Sequence, residues 1–280
     1  MWTEHRFISF DKTPIFYRRL ASSSQPKAIL ILVHGMGEHG GRYRHAAEYF
    51  AMAGIESVIP DLRGFGRSGG RRACVNTFRD FHRDLGALHA FVNRNRKGTP
   101  LFLMGHSFGG LVVSSYLAFV EHPKIYGLVL SSPIFGIAIP VPLWRHALGM
   151  FTSYIWPSYT QSNRVKPELL THDKEILARY KKDTLINPRI SAGLYRELIA
   201  MIVKKEEIAR QITDPVLIQQ AGQDFVVSVE ATQNFYRFLK TSDKEIDIYN
   251  DCYHEILNEI KRERVFSRIT HWLLKNTSHK

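Results

Sequence analysis

Short apolar segments alternate with amphipathic segments along most of the chain. Ala28–Val33 is a continuous apolar run, which is typical of a strand buried on both faces. Residues 78–95 instead place their apolar side chains on one face of a helix. The same patterns predict strands over 55–59, 101–104, 128–130, 216–220 and 246–249, and helices over 44–53, 108–120, 229–239 and about 256–274. This alternation predicts an α/β fold with a mostly parallel sheet and helices on both faces.

Two regions depart from this alternation. Residues 7–10 and 15–20 predict an antiparallel hairpin, which a connecting loop over 21–26 follows. After the strand at 128–130 the pattern becomes helical for a long stretch without a convincing strand, which predicts an insertion into the sheet. The predicted organisation is a core in two parts with a helical insertion between them: core 1–135, insertion 136–210 and core 211–280.

Composition adds only broad limits. Of the 280 residues, 44% are hydrophobic and 23% are charged, which are ordinary values for a globular protein, and two cysteines give no disulfide framework. The first residues lack the apolar segment of a secretory signal. The most apolar long stretch, 134–156, contains two prolines, Arg145 and His146, which argues against a membrane-spanning helix. We therefore expect a cytoplasmic protein.

The net charge of +12 allows three interpretations. Lysine and arginine are scattered and no nucleic-acid-binding motif occurs, so we expect no nucleic-acid partner. Peripheral contact with an anionic membrane surface is the second interpretation, and solubility alone is the third. The sequence leaves the oligomeric state open.

The strongest chemical signal surrounds Ser107. Residues 105–109 read Gly-His-Ser-Phe-Gly between a predicted strand and a predicted helix, which is the context of a nucleophile elbow. A serine on such a strained turn presents its hydroxyl above the sheet. Ser68 lies in a second Gly-x-Ser-x-Gly match, but a loop sequence follows it. We therefore predict Ser107 as the nucleophile and Ser68 as a loop serine.

A serine hydroxyl needs a base, and the chain holds 13 histidines, so position has to decide among them. Sites in open parallel sheets form at the carboxyl ends of strands. His254 follows the last predicted strand and is the predicted base. His34 also ends a strand, but we expect it to hold the shape of its own loop.

The predicted third member is Asp224, which directly follows the strand at 216–220. A carboxylate there would orient His254 and stabilise its charged form. The chain order of serine, aspartate and histidine is the one expected for this type of sheet. Asp247, inside a strand, and Asp251, close to His254 in sequence, are the weaker alternatives.

An oxyanion needs two backbone donors. Phe108 follows the nucleophile, and Met36 lies between two glycines in the first turn after Ala28–Val33, so we predict their N–H groups as the oxyanion hole. This chemistry requires no metal and no organic cofactor.

Four segments together resemble the monoacylglycerol lipase family of α/β-hydrolases, and bacterial lysophospholipases and related esterases share the set. They are residues 34–43, 61–69, 105–110 and 253–255. The resemblance extends from about residue 4 to the C terminus and is loosest across the predicted insertion, which corresponds to the lid of that family. It implies the α/β-hydrolase fold, with an eight-stranded sheet and a helical cap over an apolar acyl tunnel.

The resemblance also implies residues for substrate binding. Glu38 and Arg42 would organise the polar end of the site, and Tyr180 would meet the glycerol head group. Met36 stands where that family often has a smaller residue, and its side chain would narrow the acyl entrance.

The predicted function is hydrolysis of the acyl ester of monoacylglycerols or similar single-chain lipids, through an acyl-enzyme on Ser107. Apolar residues cluster between 135 and 156 in the predicted cap, which favours a lipid substrate. Alternatives are a lysophospholipase or broad carboxylesterase, a peptidase of the same fold, and an inert membrane-binding module. The complete set of Ser107, Asp224 and His254 argues against the inert module. Acyl length and head group remain open.

Overall fold

The chain is built around one sheet of eight strands, seen in a computed structural model that describes residues 1–22 and 25–278. The strands of this sheet are β1 (Trp2–Ile8), β2 (Pro14–Leu20), β3 (Ala28–Val33), β4 (Ile55–Pro60), β5 (Leu101–His106), β6 (Gly127–Ser131), β9 (Val216–Ala221) and β10 (Lys244–Tyr249). Their order across the sheet is β1-β2-β4-β3-β5-β6-β9-β10. Only β1–β2 and β2–β4 pair antiparallel. The prediction of a mostly parallel eight-stranded sheet is confirmed.

Helices cover both faces of this sheet and explain its apolar strands. The helices are α1 (Arg44–Met52), α2 (Arg79–Asn95), α3 (Phe108–Phe119), α4 (Leu143–Ile155), α5 (Lys174–Lys182), α6 (Ala192–Val203), α7 (Lys205–Gln211), α8 (Val229–Phe238) and α9 (Arg262–Lys275). Buried residues of α1 and α9 pack in one core cluster, and those of α2, α3, α7 and α8 pack in a second. Strands β3 to β6 and β9 are buried along their whole length because both faces are covered.

The insertion contains two short strands, so the prediction of none there was wrong. β7 (Thr160–Ser162) and β8 (Arg189–Ser191) pair antiparallel as a separate two-stranded sheet. Each has three residues and β7 is polar, so neither shows the alternation of apolar and polar positions by which a strand is recognised. The division of the chain at 135/136 and 210/211 remains a prediction.

The two ends of the chain also differ from the prediction. β1 begins at Trp2, five residues before the predicted strand, because this edge strand is largely exposed and carries polar side chains. The last helix begins at Arg262, after a short 3₁₀ turn over Ile256–Asn258. Ser23 and Ser24 of the predicted loop, and the last two residues, lie outside the described residues.

The helices of the described chain include none that is both long and apolar enough to cross a bilayer.

Candidate active site

Ser107 lies on the turn between β5 and α3 with a left-handed backbone, at φ 51° and ψ −116°. Few residues other than glycine adopt this conformation, so the surrounding structure has to hold it. The N–H of Ser107 donates to the carbonyl of Ser131 at 2.9 Å, and its carbonyl accepts from Ile134 at 3.1 Å. Both bonds tie the turn to β6 and the segment after it.

Two glycines allow the backbones around this turn to approach each other. A β-carbon on Gly109 would overlap the carbonyl groups of Val33 and His34, and one on Gly105 would overlap the backbone of Gly109. Any side chain here would push α3 away from β3 and β5. The glycine spacing of the motif therefore reflects the packing that the turn requires.

A chain of hydrogen bonds joins Ser107, His254 and Asp224. The Oγ of Ser107 lies 2.9 Å from Nε2 of His254, and Nδ1 of His254 lies 2.8 Å from Oδ2 of Asp224. The other carboxylate oxygen of Asp224 accepts from the backbone N–H groups of Val226 and Val227, each at 2.9 Å. These bonds fix the position of the carboxylate. An ionised carboxylate only accepts hydrogen bonds, so the neutral His254 ring has to carry its proton on Nδ1, and Nε2 is then free to accept from the Ser107 hydroxyl.

The electrostatics of the pair favour a charged histidine. Burial lowers the pKa of the His254 imidazole, but the charge of Asp224 and its hydrogen bond outweigh burial, so this pKa lies above its ordinary value of 6.5. Burial raises the pKa of Asp224, but the charge of His254 and the hydrogen bonds from His254, Val227 and Val226 hold it below its usual range. The site therefore stabilises an imidazolium beside an ionised carboxylate.

His106 is a second buried imidazole beside His254, with the ring centroids 4.9 Å apart. Burial and the neighbouring charge of His254 lower the pKa of His106 to about 4. At neutral pH the His106 ring is uncharged, so it does not repel the positive charge of a protonated His254.

The predicted oxyanion donors are the backbone N–H groups of Met36, in the loop after β3, and of Phe108, the first residue of α3. Among the turn and loop hydrogen bonds of the described residues, none uses the N–H of Met36 or of Phe108. Gly37 reverses the first loop at φ 81°, and its carbonyl accepts from the N–H of Asn187 at 2.8 Å. The loop that carries Met36 is thereby fastened to the insertion.

The polar end of the site is a buried cluster around Arg42. Its guanidinium pairs with Glu38 and binds both carboxylate oxygens of Glu255, at 2.7 and 2.6 Å. The ring of Tyr180 lies 4.9 Å from the guanidinium carbon. Glu38 also accepts from the N–H of Gly35 at 2.6 Å. The structure therefore brings Glu38, Arg42 and Tyr180 together.

A cavity joins this polar end to Ser107 and continues between the core and the insertion. Its volume is about 160 Å³. Its apolar wall comes mostly from residues after β6: Ile134, Ile137, Ile139, Val141, Val165, Leu170, Ile190, Leu198 and Val226, with Met36 from the loop after β3. An aliphatic chain attached to a group at Ser107 would contact these side chains.

The structure separates the apolar residues of the insertion into two groups. Ile137 and Ile139 line the cavity. Large side chains of α4 instead point to solvent, with exposed fractions of 86% for Leu143, 64% for Phe151 and 69% for Ile155. The apolar residues that cluster here in sequence therefore belong to two different surfaces, the inner wall of the cavity and the exposed outer face of α4.

The side chains of Ser68 and His34, the alternative serine and histidine, make hydrogen bonds to backbone groups and none with the catalytic residues that are described above. The Ser68 hydroxyl donates to the carbonyl of Asp61 at 2.6 Å and accepts from the N–H of Phe16 at 2.9 Å. His34 donates from Nδ1 to the carbonyl of Gly35 at 2.7 Å, and its Nε2 accepts from the N–H of Leu62 at 2.9 Å. Both side chains hold loops in shape.

The two alternative acids form ion pairs with arginines of α9. Asp247 binds Nε of Arg268 at 2.9 Å, and Asp251 binds Arg264. Neither carboxylate has a recorded contact with His254, whereas Asp224 does.

Sequence reasoning missed the role of Glu255 as the second partner of Arg42. The residue follows His254 directly, but nothing in the sequence pairs it with an arginine 213 positions earlier. In the described part of the chain, no group of three or more His, Cys, Asp or Glu side chains is arranged to hold a metal ion.

Comparison with known proteins identifies the family. The Hydrolase_4 family, described as serine aminopeptidase, S33, matches residues 24–261, which is most of the chain. The chain belongs to this family. Among relatives of this Hydrolase_4 protein, a monoacylglycerol lipase of Mycolicibacterium smegmatis is 28% identical over 276 residues and covers 98% of both chains. Phospholipase YtpA of Bacillus subtilis is 29% identical, over 87% of this chain and 94% of its own.

A longer relative and a solved structure extend the comparison. An abhydrolase domain-containing protein of Dictyostelium discoideum is 30% identical over 95% of this chain, which spans 28% of that protein. The crystal structure of Paleococcus ferrophilus monoacylglycerol lipase superposes with a TM-score of 0.85 at 29% identity, over 94% of this chain and 99% of the other. The sheet and its flanking helices are thus an α/β-hydrolase fold, as the resemblance implied.

The opposite pKa shifts of the two neighbouring histidines predict their titration. In NMR spectra recorded against pH, we expect His254 to titrate above 6.5 and His106 near pH 4. Asp224→Asn removes the negative charge that raises the pKa of His254, so that pKa should fall. Asp247→Asn is the control and should leave it unchanged. A wild-type His254 that titrates at or below 6.5 would contradict the assignment.

Proposed function

We propose that this protein is a serine ester hydrolase that cleaves monoacylglycerols or similar single-chain lipid esters into fatty acid and glycerol. The observation that carries the proposal is the hydrogen-bonded chain from Asp224 through His254 to Ser107 at the boundary between an apolar cavity and a polar cluster. An ester of a fatty acid with glycerol has the same division, with an aliphatic chain on one side of the carbonyl and hydroxyl groups on the other.

In the first half-reaction, Ser107 Oγ attacks the ester carbonyl carbon and its proton passes to Nε2 of His254. The N–H groups of Met36 and Phe108 bind the oxyanion, and the N terminus of α3 adds its positive dipole end. Asp224 stabilises the imidazolium. His254 then protonates the glycerol oxygen, the ester bond breaks, and the acyl group stays on Ser107.

In the second half-reaction, water takes the place of the glycerol. His254 accepts a proton from this water, the hydroxide attacks the acyl carbonyl, and the same N–H groups bind the oxyanion. The proton returns to Ser107 Oγ as the fatty acid leaves. The cycle uses only side chains and backbone groups of this chain together with water.

The charge at the polar end favours a neutral head group. Arg42 contributes one positive charge there, and Glu38 and Glu255 contribute two negative ones at close range. A phosphate placed against this cluster would meet net negative charge in a buried site, whereas glycerol hydroxyls can donate to carboxylate oxygens. Lysophospholipid hydrolysis, which the Bacillus relative's name as a phospholipase suggests, is therefore the second candidate.

The aminopeptidase activity in the family's description fits this site less well. A free peptide N terminus is an ammonium group and needs an unpaired carboxylate or several acceptors. The two carboxylates that line the cavity, Glu38 and Glu255, are already bound by Arg42, and Glu38 also accepts from the Tyr43 hydroxyl at 2.5 Å. An ammonium group would have to share these carboxylates with the guanidinium, and the two positive charges would repel each other.

We also propose that the outer face of α4 rests on a membrane surface. This outer face comprises Leu143, Phe151, Tyr154 and Ile155, each between 64% and 86% exposed. Large apolar side chains grouped on an exposed helix are typical of interfacial contact. The net charge of +12 adds attraction to anionic lipids.

Ser107→Ala should abolish hydrolysis, with a loss of about 10⁶-fold in kcat, because the nucleophile is removed. Ser68→Ala is the matched control. It should keep most of the activity, although the loss of two buried hydrogen bonds should lower the free energy of unfolding by about 1–3 kcal/mol. The assay is release of fatty acid from a monoacylglycerol by folded protein. Near-normal activity of Ser107→Ala would refute the mechanism.

Asp224→Asn should reduce kcat by about 10⁴-fold, because the amide neither stabilises the imidazolium nor holds its correct tautomer. Asp247→Asn and Asp251→Asn, whose carboxylates pair with arginines of α9, should reduce kcat by far less. The three variants are compared on the same ester at saturating concentration. A crippling effect of either control, with Asp224→Asn active, would reassign the acid.

The double variant Phe151→Ser/Ile155→Ser should bind vesicles containing anionic lipid at least about tenfold more weakly, because two large apolar side chains no longer leave water. Met52→Ser, an equally exposed apolar position in α1, should bind like the wild type. Vesicle sedimentation at low salt measures binding by apolar contact and charge together, and sedimentation at high salt measures the apolar contact with the charge attraction screened. Unchanged binding by the double variant would exclude the outer face as the contact.

A further inference from the structure

A second concavity lies on the outside of the insertion and meets the catalytic cavity. This outer groove is lined by Trp144, Arg145, Leu148, Gly149, Thr152, Trp156, Tyr159, Gln161 and Ala192. Arg145 and Gln161 line the catalytic cavity as well. The two spaces are therefore neighbours across a junction formed by these two exposed side chains.

The catalytic cavity is small for a long acyl chain. Its volume of about 160 Å³ is below the range of roughly 300–1,000 Å³ that is usual for sites of drug-sized ligands. The outer groove has a volume of about 480 Å³. A chain that fills the first space has to continue somewhere, and the junction leads to this groove.

The junction lies close in the chain to the apolar wall of the catalytic cavity. The polar cluster around Arg42 occupies one end of the catalytic cavity, and Ile139 and Val141 line its apolar part. Val141 lies two residues before α4 begins, and Arg145 is in the first turn of that helix. Arg145, which lines both spaces, therefore follows Ile139 and Val141 of this apolar wall within a few residues of chain.

The walls of the outer groove suit an aliphatic chain. The rings of Trp156 and Tyr159 lie 5.4 Å apart, and the guanidinium of Arg145 lies 4.8 Å from the ring of Trp144. Leu148 adds an aliphatic side chain, and none of the residues that line this groove is a carboxylate. Aromatic faces of this kind bury methylene groups but offer no hydrogen-bond partners to a polar ligand.

We propose that the outer groove is a second acyl subsite, which binds the far end of long acyl chains after they pass between Arg145 and Gln161. The inference rests on the proposed lipid ester hydrolysis and names its preferred substrates. Chains short enough for the catalytic cavity do not reach the groove. Longer chains gain further contact there, so the groove raises kcat/KM for long acyl groups selectively. The groove is distinct from the outer face of α4, whose residues do not line it.

The test is a series of p-nitrophenyl esters with acyl chains of 4, 8, 12 and 16 carbons, held at a fixed ratio in nonionic detergent micelles. Gln161→Trp narrows the junction, and Trp156→Ala removes one wall of the groove. The loss of these contacts acts on the long chains alone, so both variants should lower kcat/KM severalfold at 16 carbons relative to 4 carbons. At 4 carbons the change should stay within about twofold, which also reports a folded site.

Leu143→Ala is the matched control, because Leu143 is an exposed apolar side chain of the same helix outside the groove. It should leave the chain-length profile unchanged. An equal loss at all lengths, or no loss at 16 carbons in either variant, would overturn the subsite while leaving ester hydrolysis intact. A wild-type protein that cleaves none of the esters would overturn the proposed function itself.

Discussion

The close approach of three backbone segments at Ser107 is the constraint on which the rest of the site depends. Gly105 and Gly109 let β5, α3 and the end of β3 meet without side chains between them. The serine is thereby held at a positive φ that it would rarely adopt alone. The same packing sets the N terminus of α3 beside the hydroxyl and places the Met36 loop, which follows β3, next to it.

A second constraint joins the segments that have to meet Ser107. Arg42 lies in the core loop after β3, Glu255 follows His254, and Tyr180 belongs to α5 of the insertion. Burying a guanidinium is costly unless several groups compensate it, and here two carboxylates and an aromatic ring do so. The N–H of Glu255 also donates to the carbonyl of Leu170 at 2.8 Å. The loop that carries His254 is thus tied to both the core and the insertion.

How far the sequence predicts this arrangement differs from part to part. The central strands are recognisable because they are buried on both faces and therefore apolar throughout, and Asp224 stands out from Asp247 because it follows a strand rather than lying in one. The pairing of Arg42 with Glu255 and the short strands β7 and β8 depend on contacts between distant segments, which local patterns do not contain. Periodicity also marks α4 as apolar without saying which of its sides the core covers.

The two groups of apolar residues in the insertion have different physical consequences. Buried side chains such as Ile190 are already out of water, so they stabilise the fold and shape the cavity whether or not a ligand is bound. Phe151 and Ile155 remain in water, and their burial contributes free energy only when something covers them. A lipid substrate dissolves in an interface rather than in bulk water, so a cap that rested on that interface, as proposed, would take its substrate from where it is concentrated. On the proposed function, the acyl chain would also need apolar surroundings beside Ser107, and the wall of the catalytic cavity, with the proposed subsite in the outer groove next to it, would supply them.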